Sequence, residues 1–98
     1  MYIYLIKANV DVLRYDTYDS AVVIAESATA ARLTSPNEFY TWINGQWHFV
    51  YRDGTTEPTS RSDWPNKPLD SGVVDVHLVG TALPGSEPGV VCASFNAG

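Results

Sequence analysis

The sequence predicts an α+β fold, a mixed or antiparallel sheet of about five to six strands with one short helix packed on it. Three observations carry that expectation. Short runs of β-branched and aromatic residues recur between turn formers along the whole chain, one alanine-rich stretch follows a capping serine, and an Asn-Gly pair is flanked on both sides by strand formers.

Residues 2–7, "YIYLIK", read as a first strand, being aromatic and β-branched and too short for a helix. "NVDVLRYDTYD" mixes Asp, Asn and Thr with isolated apolar residues and reads as a connecting loop. "AVVIA", residues 21–25, is apolar at every position, the pattern of a central strand covered on both faces. Ser27 then offers a hydroxyl to the free amides of a helix that begins at Ala28 and must stop by about Ser35, because Pro36 disfavours helical backbone in the residue before it. So short a helix cannot persist alone and is expected to dock its Ala31 and Leu33 side on the sheet.

The strongest local pattern is "FYTWINGQWHFVY", residues 39–51. Asn44-Gly45 supplies the positive backbone angles of a two-residue hairpin turn, which pairs Ile43 with Gln46, Trp42 with Trp47, Thr41 with His48 and Tyr40 with Phe49. Directly paired residues share a face, so Tyr40, Trp42, Trp47, Phe49 and Tyr51 fall on one side of the hairpin. From Arg52 to Gly72 the composition turns polar and proline-rich, and residues 52–72 are expected to form one long loop. "VVDVHLVGTAL" (73–83) and "GVVCASF" (89–95) close the chain as two strands around a "PGSEPG" turn.

Ninety-eight residues with 45% apolar content make a single domain, one that buries roughly 60 to 65% of its unfolded surface. Six basic residues against eleven acidic ones give a net charge of −5, and no two basic residues adjoin. Duplex nucleic acid is displaced from its counterions only by clustered cations, so it is not an expected partner. Cys92 is the single cysteine, and "GVVCASF" suggests a small buried side chain in a reducing compartment. "MYIYLIKANV" lacks the basic start and cleavage site of a signal peptide, and no apolar run approaches about 18 residues, so no membrane association is expected.

Three blocks carry a resemblance. "YDTYDSAVVIAESATAARLTSP", a Trp-bearing middle, and "VDVHLVGTALPGSEPGVVCASFNAG" together resemble a family of short, mostly uncharacterised proteins of tailed bacteriophages and prophages. That family usually carries acidic residues after the capping serine, where this chain has Ala28, Thr29 and Ala30, so its helix start is less complemented electrically. The resemblance implies a virus-encoded accessory protein in the cytoplasm of the infected bacterial host rather than a housekeeping enzyme. By analogy with small phage proteins it implies inhibition of host immunity by binding, through sequestration of a small nucleotide-like signalling ligand. A protein-binding inhibitor of a host defence complex, or a minor virion or assembly component, stands as the alternative.

No catalytic motif supports an enzyme: His48 and His77 have no nucleophile setting, and there is no G-x-S-x-G elbow, phosphate loop or C-x-x-C pair. Asp11, Asp16 and Asp19 lack the spacing of a calcium loop, so neither a metal nor a cofactor is expected. The aromatic hairpin has two readings. Trp42, Trp47 and Phe49 either build the core or a subunit interface, or form a platform on which a planar ring gains about 1 to 3 kcal/mol by stacking, with Arg52 and Arg61 donating to phosphates. Trp64, in the polar run "RSDWPNK", is likewise either a cap on the core or a ligand anchor. Tyr15 and Tyr18, beside their aspartates, are expected to form a rim that closes over such a ligand. Open sheet edges and surplus aromatic surface lead to a further expectation, a homo-oligomer.

Overall fold

In the computed structural model, which describes residues 1–9 and 17–96, the strands divide into two sheets rather than one. Strands β1 (Tyr2–Ala8), β2 (Thr17–Ala25), β6 (Val74–Thr81) and β7 (Gly89–Asn96) form a four-stranded antiparallel sheet in the order β6-β1-β2-β7. Strands β3 (Tyr40–Ile43), β4 (Gln46–Val50) and β5 (Thr56–Pro58) form a second, three-stranded one in the order β3-β4-β5. The single sheet expected from the sequence is therefore corrected, because strand-forming runs do not state their pairing partners.

The larger sheet is buried on one face. Period-2 alternation puts Tyr4, Ile6 and Ala8 of β1 beside Ala21, Val23 and Ala25 of β2, all buried, while Leu5, Val22 and Ile24 face the other way and stay partly accessible. "AVVIA" is thus a central strand covered on one side only. It also begins at Thr17, four residues earlier than the sequence indicates, and Tyr18 and Asp19 belong to it.

Helix α1 (Ala28–Arg32) lies against the buried face. Ser27 caps it as expected: its backbone is extended and its Oγ accepts from the Ala30 amide at 3.1 Å. The first turn holds no acidic residue to offset the helix dipole. Docking supplies what the short helix lacks, since Ala31 is wholly buried and Arg32 Nε donates to the Val74 carbonyl on β6 at 3.3 Å. Small side chains at Ala21, Ala25 and Ala31 let the helix backbone approach the sheet closely, and a filled volume here stabilises through dispersion as well as exclusion of water.

The hairpin pairs in the register read from the sequence, at all four positions. Asn44 and Gly45 have φ of 50° and 80°, the two positive angles of that turn. Residues 52–72 are not one featureless loop. Thr56–Pro58 adds a third strand to the hairpin through His48, Phe49 and Val50, and the chain beyond it is fastened by Thr59 N–H to the Trp47 carbonyl at 3.0 Å and by Asn66 Nδ2 to the Ser60 carbonyl at 3.3 Å.

Gly45 has no atom within 4 Å of the place a Cβ would take, so a substitution there is felt only through the backbone. Gly45→Ala should cost about 1 to 2 kcal/mol in urea unfolding, the strain of a left-handed angle on a residue with a Cβ. An unchanged midpoint would show that the turn is not held at these angles.

Candidate functional site

The hairpin's aromatic face grades from core to solvent. Trp47 is 1% exposed and its Nε1 donates to the Pro65 carbonyl at 2.8 Å. Trp42 is half-buried and meets Trp47 edge-on, centroids 5.0 Å apart at 76°. Tyr40 meets Phe49 edge-on at 5.6 Å, and Phe49 meets Tyr51 edge-on at 5.0 Å. Such edge-to-face contacts set the positive rim of one ring against the negative face of the next. At the solvent end Tyr51 is 44% exposed and Phe39 is 60% exposed, with Phe39 lying nearly parallel to Phe49 at 6.4 Å.

These outer rings border a cleft of about 410 Å³ whose wall is Glu38, Phe39, Phe49, Val50, Tyr51 and Arg52. Local hydrogen bonds hold the wall in place. Asn37 Oδ1 accepts from the Phe39 amide at 3.0 Å, its Nδ2 donates to Asp63 at 2.9 Å, and the Phe39 carbonyl accepts from Val50 N–H at 2.7 Å. Phe39 is therefore set on the sheet edge by its backbone, leaving the ring free. On the other side a tight turn carries Arg52: Tyr51 N–H donates to the Thr55 carbonyl at 2.8 Å, and Asp53 accepts from the Thr55 amide and hydroxyl at 3.0 and 2.7 Å. Those two bonds from Thr55 favour the charged carboxylate and hold Asp53 below the usual carboxylate range.

Strand β5 places Glu57 opposite Phe49, where it accepts the Tyr51 hydroxyl. The hydrogen bond, and then the negative charge of Glu57, push the Tyr51 phenol above the ordinary tyrosine value. The site thus combines an apolar ring surface with one cation, Arg52, and one carboxylate, Glu38, on its wall, and a second carboxylate, Glu57, bonded to the Tyr51 hydroxyl.

The candidate residues do not converge on one place. Arg52 joins the cleft. Arg61 is exposed on the loop that follows β5, outside the cleft wall. Trp42 borders a separate dent of about 310 Å³ with Gly45 and residues 66–70. Tyr18 packs edge-on against Phe95 at 5.1 Å, between β2 and β7, and Tyr15 lies outside the described residues. Trp64 is 2% exposed in the same buried cluster as Ile6, Val23, Ala31 and Trp47, which makes it a cap on the core in this structure rather than an open anchor. Trp47 lies in the same cluster, the core position among the readings the sequence leaves open.

Phe49 and Tyr51 belong to the aromatic hairpin that the sequence points to, whereas Phe39 and Glu57 are site residues that sequence reasoning misses. Phe39 was legible as a large apolar side chain in the polar turn "SPNEF", whereas Glu57 became part of the site only through a strand the sequence does not announce. Among the described residues no group of three or more His, Cys, Asp and Glu could hold a metal ion, and no helix is long and apolar enough to cross a membrane. Compared with protein-family models, curated proteins and solved structures, the chain finds no match.

The two buried indoles differ in one atom's fate. Trp47 Nε1 is bonded, whereas Trp64 Nε1 is buried and donates to no protein group. Trp47→Phe leaves the Pro65 carbonyl without its donor, while Trp64→Phe removes an unpaired one. Trp47→Phe is expected to be the more destabilising by about 1 to 3 kcal/mol in chemical denaturation, and equal losses would contradict this. A second test concerns Tyr51. Its folded pKa is raised, so its contribution to stability is present below the ordinary tyrosine range and lost as pH rises through the higher folded value. In absorbance titrations differenced against Tyr51→Phe, Glu57→Gln should move the Tyr51 transition down; no movement would mean that Glu57 does not set it.

Proposed function

We propose that this chain is a non-catalytic binding protein, an accessory protein of a tailed phage or prophage acting in the cytoplasm of the infected host, and that it inhibits a host defence protein by direct contact. One observation carries the reading: Phe39 and Tyr51 are exposed, each packed against Phe49, on a cleft wall that also carries Arg52. Aromatic residues and arginine are the types that dominate binding energy at protein interfaces, and a rigid ring loses little conformational freedom when it is covered. The phage context rests on the resemblance of the three sequence blocks alone.

Charge favours a protein partner over the nucleotide-like ligand that the sequence puts first. A phosphate needs converging donors, whereas Arg52 is the one cation on a cleft wall that also carries Glu38, in a chain of net charge −5. Trp64 and Arg61, the intended ring and guanidinium of a nucleotide site, lie apart from the cleft. The nucleotide reading keeps one support, the size of the cleft, which falls within the range of small-molecule sites. Self-association through an open sheet edge belongs to the same proposal.

The test is affinity capture from host lysate with wild type and with Phe39→Ala, whose exposed ring contributes little to the core. A specific host protein should be retained by wild type, and the substitution should weaken its binding by about 2 kcal/mol or more, roughly thirtyfold. Capture indifferent to Phe39 and Tyr51 overturns the reading. Calorimetry with a panel of cyclic and linear nucleotides, giving heat that Arg52→Ala abolishes, returns the function to ligand sequestration.

A further inference from the structure

Among the described residues the two sheets leave four edge strands, and three of them are short, charged or proline-bearing. Strand β3 has only four residues, β5 has three and contains Glu57 and Pro58, and β6 carries Asp75 and bulges where Tyr4 pairs with Leu78 and Ile3 with Gly80. Short edges, prolines, charges and bulges are the devices by which sheets avoid meeting one another. Strand β7, "GVVCASFN", has eight residues with no charge and no proline. It bulges at Val91, where Val22 pairs with Cys92 and Val23 with Val90, and from Cys92 to Asn96 it contributes no extra residue itself, the second register shift there being taken up by Asp19 of β2 between the Ser94 and Phe95 pairs. Along that stretch Cys92, Ala93, Ser94 and Phe95 are exposed, Phe95 by 50%.

We propose that two copies of the chain pair edge to edge through β7, antiparallel and about a two-fold axis at Ser94, the centre of the stretch 92–96 in which β7 itself has no extra residue. This deepens the expectation of self-association by naming its strand and register. The occupant follows from charge. A chain of net charge −5 meets its own copy with least repulsion where both surfaces are neutral, and β7 is the edge of the larger sheet that meets that condition. The nearest carboxylate on the neighbouring strand, Asp19, faces its counterpart across three strand spacings, about 14 Å, beyond the screening length of about 8 Å at physiological salt. Closure favours the same pairing. β7 against β7 makes a closed dimer with a continuous eight-stranded sheet, whereas β6 against β7 would leave an edge open at each end and grow without limit. In this register Ser94 faces Ser94 of the second copy, and Ala93 faces its Phe95.

The register makes the test specific. Opposed residues in an antiparallel pair have Cα atoms about 4.5 to 5.5 Å apart, within disulfide reach. Ser94→Cys in a Cys92→Ser background should therefore cross-link to its own copy under mild oxidation, whereas Val90→Cys in that background should not. Sedimentation of wild type should give a concentration-dependent dimer. Ser94→Asp, which sets two carboxylates face to face on the axis, should raise the dimer dissociation constant at least tenfold with the far-ultraviolet dichroism unchanged. A monomer at every concentration, or a dimer that Ser94→Cys fails to cross-link, overturns the proposal. Should Ser94→Asp impair folding, the cross-link decides alone. Capture through Phe39 is read on the monomeric variant, so the two proposals fail separately.

Discussion

Two buried indoles hold the two sheets of this protein to one core. Trp47 comes from the hairpin and Trp64 from the loop beyond it, and both enter the cluster formed by Tyr4, Ile6, Val23, Ala31 and Val74. Without them the larger sheet would present an alanine-rich face with little volume to cover it, since Ala8, Ala21, Ala25 and Ala31 are too small to fill the space alone. The bond from Trp47 Nε1 to the Pro65 carbonyl links these contributions, because it ties the hairpin to the loop segment that carries Trp64. A three-stranded sheet of twelve strand residues would be marginal in isolation, and this shared core gives it a fixed position.

That anchoring determines which rings are left for binding. The hairpin's aromatic face is one continuous row, yet its turn end is pulled inward by Trp47 while its open end, with Phe49 and Tyr51, projects past the core. Phe39 extends the row beyond the strand, because the helix has ended at Arg32 and the Asn37-centred turn brings the next ring alongside Phe49. Core and cleft therefore compete for the same set of residues, and the depth at which each ring sits decides its role.

Local elements were legible in the sequence wherever the cause was local. The serine cap, the Asn-Gly turn and the full hairpin register follow from side-chain and backbone preferences within a few residues, and the structure has each of them. Features set by distant partners were not legible. Thr-Glu-Pro has no strand pattern and becomes β5 only because β4 offers a free edge, and the division into two sheets depends on pairings between residues far apart in the chain. Cys92 shows the same limit. Its apolar neighbours suggest burial, but an edge position opposite Val22, on the uncovered face, leaves the thiol exposed. Trp64 was ambiguous for a related reason, since nothing in "RSDWPNK" indicates which way the loop turns.

The uncovered face of the larger sheet and the free edge of β7 are consequences of one packing choice. The single helix has five residues and covers one face, and the hairpin's Trp47 contributes to the cluster on that same side. Leu5, Val22, Ile24 and Cys92 are accordingly left with partial or full access to water. A domain of this size has few residues with which to cover both faces and guard every edge, and composition shows where charge and proline fall: Asp75 and His77 on β6, Glu57 and Pro58 on β5, neither kind on β7. An unguarded edge offers unpaired backbone donors and acceptors to a further strand. Occupation by its own copy requires no further residue, because a neutral antiparallel strand is complementary to itself.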